Sequence, residues 1–260
     1  MKREAILAVY LLAWLGAASG ANPPAPTFFA RHDYAGLYSQ NVAVADTNGD
    51  GIPDLPTNDE GYIQVLLGNG DGTFGAGPSA NSGMRAVDGF VPADVNGDGK
   101  VDLVIAGGPD GADPPLGIGI CLGNGDGTFQ PMVFYQAGND GGIGDPVVGD
   151  FNGDGIPDVA VAGSSGVWLF TGKGGGTFNP GVLAVSLATV EGGGLAATDF
   201  NGDHKLDLVL TLQFAAGGHP HGESARAAGH EGPAGNRGPG LFGRRDGTYQ
   251  HDEITHALLT

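Results

Sequence analysis

A chain of 260 residues with 40% hydrophobic content is long enough to bury one sizeable core, and its 51 glycines lack the Gly-X-Y period that collagen requires. A net charge of −18 excludes nucleic acid and anionic membranes as partners, because an acidic coat repels both. Short apolar runs at residues 42–45, 101–106 and 159–162 exclude a disordered chain.

The first element is an export signal. Lys2 and Arg3 precede an apolar run over residues 5–15, then small residues from Ala17 to Ala21, then Asn22, Pro23 and Pro24. This layout predicts a signal peptide over residues 1–21, cleaved near Gly20 or Ala21, and a secreted or cell-surface protein. The apolar run falls short of the roughly 20 residues that a membrane span needs, so no span is expected after cleavage. No cysteine lies near the cleavage site to carry a lipid.

Residues 22–260 then repeat themselves, in units near 40–80, 88–135, 144–184 and 193–250. Residues 41–45 predict a strand that leads into an acidic loop, Asp-Thr-Asn-Gly-Asp-Gly-Ile-Pro-Asp at 46–54. The loop recurs at 94–102, 150–158 and 199–207, with first aspartates 48, 56 and 49 residues apart (94−46, 150−94, 199−150). Apolar runs after the loops, clearest at 102–106 and 158–162, predict second strands, and residues 62–67 and 166–170 predict third strands. A second signature follows: Gly-Asn-Gly-Asp-Gly-Thr-Phe at 68–74 and 123–129, a variant at 172–178 and a degenerate copy at 243–249. Its Asn-Gly and Asp-Gly pairs predict tight hairpins, with Thr-Phe opening a fourth strand. The single cysteine, Cys121, lies in an apolar run and is expected to be a buried hydrophobe. Four strands per unit at a period near fifty predict an all-β fold, a partial β-propeller with about four to five recognisable four-stranded blades.

The paired signatures resemble FG-GAP and VCBS repeats, which build the propeller of integrin α-subunits and of many secreted bacterial proteins. The resemblance covers roughly residues 26–260. It implies that the acidic loop joins the first two strands of each blade and binds calcium. Such propellers commonly have seven blades; four full repeats are present here. Residues 254–260 are expected to be the strand that precedes a fifth loop.

The loop chemistry points the same way. Four clusters of carboxylates repel themselves unless a cation sits among them. Calcium takes six to eight oxygen ligands, and side chains at loop positions one, three, five and nine, with the carbonyl at seven, offer five. The candidate ligands are Asp46, Asn48, Asp50, Ile52 and Asp54 in the first loop, and Asp94, Asn96, Asp98, Lys100 and Asp102 in the second. They are Asp150, Asn152, Asp154, Ile156 and Asp158 in the third, and Asp199, Asn201, Asp203, Lys205 and Asp207 in the fourth. Ile52, Lys100, Ile156 and Lys205 enter only through their carbonyls. Glycine at position six allows a sharp turn; the fourth loop has His204 there, which must accept positive φ or distort the loop, so that site is expected to be the weakest. Three to four Ca²⁺ per chain are expected. Magnesium prefers a tighter octahedron, and no cluster offers the soft or imidazole ligands of zinc or copper. The competing readings are metal-free Asx turns and an EF-hand; the latter lacks an acidic residue at position twelve, where Thr57, Ile105, Val161 and Leu210 stand.

Residues 212–240, with His219, His221 and His230, replace the third strand expected in the fourth repeat; three histidines in one loop could bind a transition metal, but a composition with no scaffold to fix them reads as a solvated loop. No nucleophile elbow, HExxH or phosphate loop is present, so no catalytic residue is expected. The expected function is a binding or adhesion module for an extracellular protein or glycan; the resemblance to integrin propellers implies contacts through loops on one face. Tyr34, Tyr38, Phe134 and Tyr135 lie near turns, where aromatics stack on sugars or, as the stronger tendency, join the core. The alternative is an extracellular lyase or hydrolase on a propeller scaffold, which a central cleft with two uncoordinated carboxylates would reveal.

Overall fold

The computed structural model describes residues 7–9, 32–34, 41–59, 61–109, 116–138, 143–186, 194–200, 202, 204–212 and 253–255. Every regular element among them is a strand. The first sheet is a meander of β3 (Asn41–Val42), β4 (Leu55–Asp59), β5 (Tyr62–Gly68) and β6 (Phe74–Asn81). The second is β7 (Met84–Ala93), β8 (Asp102–Pro109), β9 (Gly117–Cys121) and β10 (Val133–Gln136). The third is β11 (Val147–Gly149), β12 (Asp158–Gly163), β13 (Gly166–Phe170) and β16 (Val182–Ser186), with β14 (Gly172–Gly174) and β15 (Thr177–Phe178) forming a short ribbon at its hairpin. The fourth holds β17 (Leu195–Thr198), β18 (Asp207–Leu212) and β19 (Glu253–Thr255). All pairings are antiparallel, as short strands joined by turns permit. β1 (Leu7–Val9), inside the segment read as an export signal, pairs with β2 (His32–Tyr34).

The expected second and third strands fall where the apolar runs placed them. One expectation is corrected. Part of the segment expected to open a further repeat belongs to the fourth sheet instead: Glu253–Thr255 lies along β18 with Thr211 opposite Ile254, satisfying the open backbone edge of that strand, while residues 256–260 lie outside the described residues.

The sheets stack in a row, face to face, because their central strands are apolar on both sides. Leu103 and Ile105 of β8 point toward the first sheet, where they join Ile63, Met84 and Cys121. Val104 and Ala106, one residue out of phase, point toward the third sheet and meet Val159, Val161 and Phe170. Ala160 and Ala162 in turn face Leu208 and Leu210 of the fourth sheet. A continuous run such as residues 102–106 is what a strand buried on both faces must have. Each sheet thus has a near face toward its predecessor and a far face toward its successor. The first strands gather on one side: β11 lies beside both β7 and β17. The row is open, since Val44 on the near face of the first sheet is 66% exposed and Phe200 on the far side of the fourth is 52% exposed. Cys121 is buried as expected, and burial pushes its thiol up to about 12. No helix among the described residues is long and apolar enough to cross a membrane.

Candidate metal centre

Each acidic loop connects the first two strands of its sheet. Position one organises the turn. Asp46 accepts the N–H groups of Gly49 at 2.8 Å, Asp50 at 3.2 Å and Gly51 at 2.8 Å. Asp150 repeats the pattern with Gly153 at 2.7 Å, Asp154 at 3.1 Å and Gly155 at 2.8 Å, and these amides, Gly155 foremost, hold its carboxyl below the usual range. Asp94 accepts from Gly97 and Gly99, and Asp199 from Gly202 and His204. At position three, Asn48, Asn96 and Asn152 accept the N–H of position five, at 3.0, 2.8 and 2.8 Å. At position five, Asp50, Asp98 and Asp154 accept the N–H of position seven, Ile52, Lys100 and Ile156, at 2.8, 2.9 and 2.8 Å. The loops are therefore successive Asx turns whose carboxylate oxygens sit at the solvent side.

Position nine behaves differently. Asp54, Asp102, Asp158 and Asp207 are buried. One oxygen of each accepts the N–H of position two: Thr47 at 2.9 Å, Val95 at 3.0 Å, Phe151 at 3.1 Å and Phe200 at 2.9 Å. The other accepts the N–H of the glycine that opens the second signature: Gly68 at 2.9 Å, Gly123 at 2.8 Å and Gly172 at 2.8 Å. A Cβ at these glycines would collide with the carbonyl oxygens of Pro53, Val101 and Pro157, so only glycine lets the amide approach. This buried carboxylate is the physical link between the two signatures. Sequence reasoning assigned position nine to a ligand set and missed its partner; the signal was the glycine that opens all four copies of the second signature. In the fourth repeat Oδ1 of Asp207 is buried with no hydrogen-bond partner among the described residues, the corresponding Gly243 lying outside them.

Burial pushes the carboxyls of Asp102 and Asp158 up. Their two amide donors oppose this, and the like charges of Asp98 and Asp94, or of Asp154 and Asp150, add to it. In the second and third loops positions one and five thus stand near enough to position nine to repel it. Among the described residues no three acidic or imidazole side chains converge as a ready-made cage, and the loop's own amides occupy oxygens at positions one and five. The donor chemistry fits a hard oxygen-seeking ion: three carboxylates, an amide oxygen and a carbonyl, each carboxylate oxygen retaining lone pairs beyond its hydrogen bonds. In the second loop the Lys100 ammonium stands 4.0 Å from Asp98, a competitor for that carboxylate. His204 takes φ 67 and keeps its N–H on Asp199, so the fourth loop accepts positive φ and is not distorted at that bond. Asn201 and Asp203 lie outside the described residues, as do Tyr38 and residues 213–240.

Hairpin and loop also meet between repeats, since the Gly127 N–H donates to the Thr47 carbonyl at 3.0 Å. Tyr34, Phe134 and Tyr135 serve packing. Tyr34 meets Phe74 edge to face at 5.9 Å and its hydroxyl accepts the Phe74 N–H; Tyr135 meets Phe178 at 5.6 Å; Phe134 packs on the core between the first two sheets.

No curated protein matches the chain. Among solved structures it is similar to an Agrocybe aegerita lectin described as recognising non-reducing terminal N-acetylglucosamine, at 20% identity and a TM-score of 0.32, over 70% of this chain and 67% of the lectin. It is also similar to the V. cholerae biofilm matrix protein Bap1, at 21% identity and a TM-score of 0.36, over 79% of this chain and 32% of Bap1. The FG-GAP-like repeat matches three times in succession, at residues 46–105, 94–161 and 150–210. Each match starts at the first aspartate of one loop and runs past the next, so the unit recognised is the loop, its sheet and the following loop, and the chain belongs to the FG-GAP-like repeat family.

Proposed function

We propose that the chain is a secreted, non-catalytic binding module of propeller type, whose acidic loops hold structural calcium and whose ligand is an extracellular protein or glycan. The observation that carries the reading is the charge arrangement of the loops: a buried carboxylate at position nine, pushed up by burial and by the two other carboxylates of its own loop. An ion there removes the repulsion and fixes the connection between the first two strands. The first strands β7, β11 and β17 lying side by side support a radial arrangement of blades. The N-terminal layout of basic, apolar and small residues supports export to a compartment where calcium is plentiful.

Calorimetry on metal-stripped protein tests the calcium component, with three to four Ca²⁺ per chain expected. An ion that binds only the folded state at 100 times its Kd stabilises by about 2.7 kcal/mol, so chelation lowers the Tm. A stoichiometry of zero or one, with an unmoved melting curve, defeats it. Glycan-array binding with and without calcium tests the ligand component.

A further inference from the structure

We propose that the near face of the first sheet and the far face of the fourth are the two halves of one interface, and that they close head to tail between two copies of this chain. The inference rests on the stacking of the sheets and is independent of what the loops bind. The chain builds the same contact three times internally, between the first and second, second and third, and third and fourth sheets. In each, the far face of one sheet receives the near face of the next. Equivalent positions show what is left over at the two ends.

At the far end the telling residue is position two of the loop. Val95 there is 1% exposed and sits in the core shared with the third sheet. Phe151 packs into the core shared with the fourth. Phe200, the same position in the fourth repeat, is 52% exposed, and beside it Ala196 and Thr198 are exposed and Val209 half-buried. At the near end Val42 and Val44 align with Phe90 and Pro92, from the pairings of Ala45 with Asp54 and of Ala93 with Asp102. Phe90 packs in the core between the first two sheets. Val42 and Val44 are 47% and 66% exposed, and Tyr62 on the same face is 56% exposed. Tyr34 and Phe74 cover Leu55 and Leu66 on this face and leave those three bare.

Among the described residues a bulky far-face aromatic and a near face of valines are therefore unmatched, and each is the cognate of the other by the chain's own repeat. A second copy is the occupant that brings the correct half to both. The contact is heterologous, so it either closes or propagates. Two copies bring together eight of the stacked sheets described above, inside the range of about four to eight blades that propeller rings use.

The experiment is light scattering of the full chain, expressed with its own leader, in calcium at physiological salt, where screening limits repulsion between two acidic copies. Wild type is expected at twice the chain mass or above. Val44→Asp removes the near half and Phe200→Asp the far half, so each alone is expected at the mass of one chain. Mixed in equal amounts they are expected to regain a dimer, since one copy supplies an intact far face and the other an intact near face. A monomeric wild type, single variants that still associate, or a mixture that stays monomeric each overturns the proposal. Circular dichroism checks that both variants keep their β-structure. Should either lose it, Val42→Asp and Ala196→Asp repeat the test on the same two faces.

Discussion

At the scale of single residues, the loop is a device for making three aspartates do different jobs. Position one gathers amides at the surface, position five turns the chain, and position nine is buried under two amides from distant parts of its repeat. Position six shows how narrow the backbone demand is. Gly51, Gly99 and Gly155 all take φ 81, and His204 is the one non-glycine residue at positive φ among the described residues. The sequence carried this consequence openly, since a histidine replaced a glycine in an otherwise repeated loop. A side chain in the left-handed region costs about 1–2 kcal/mol, partly offset by the greater freedom glycine has when unfolded. His204 is exposed, so its replacement sacrifices no packing. His204→Gly is therefore expected to raise stability by about 1 kcal/mol in urea denaturation. An unchanged midpoint shows that the histidine bears no strain.

At the scale of the element, the working unit is loop plus hairpin, tied by the position-nine carboxylate. The strands were legible because apolar runs and turn residues are local signals. The tie was not, because Asp102 and Gly123 are 21 residues apart, and residue types alone do not say which amide a carboxylate meets. The extra ribbon of β14 and β15 was equally hidden: Gly174, Gly175 and Gly176 all take positive φ, a geometry no side chain announces. The tie separates two roles that a ligand list merges. Asp158→Ala strands the Phe151 and Gly172 amides, and each buried donor left unpaired costs about 1–3 kcal/mol. It should destabilise the protein even after metal is stripped. Asp150 serves surface amides that water can serve instead, so Asp150→Ala should leave the metal-free melt near wild type and remove part of the calcium-induced rise. Equal losses for the two variants in metal-free buffer contradict this division.

At the scale of the molecule, an acidic loop joins the first two strands of each stacked sheet, and the cores between the sheets are apolar. The all-β class and the period near fifty were readable from the two signatures. The stacking order was read only from which alternate residues meet, such as Val104 with Val159 against Leu103 with Ile63. This architecture predicts opposite responses to acid with and without calcium. Asp102 and Asp158 have carboxyls raised above 3.8, in both cases chiefly by burial. A raised folded pKa favours the protonated form in the fold, so its stabilising contribution is complete below the unfolded pKa and disappears as pH rises through the folded value. Asp126, held by the Thr128 hydroxyl and amide, and Asp150, held by loop amides, are lowered from 3.8. Their contribution is present above the unfolded pKa and lost only as pH falls through their folded values. As pH falls toward the unperturbed carboxylate range, the raised carboxyls take up protons in the fold before they do in the unfolded chain, and the lowered ones do not. Metal-stripped protein should therefore become more stable on mild acidification across that window. With calcium bound the ion would hold Asp102 and Asp158 ionised, protons would compete with it, and stability should fall over the same window. Thermal melts of stripped and calcium-loaded protein from pH 7 to pH 5 read both slopes. Parallel slopes would mean that no ion sits among these carboxylates.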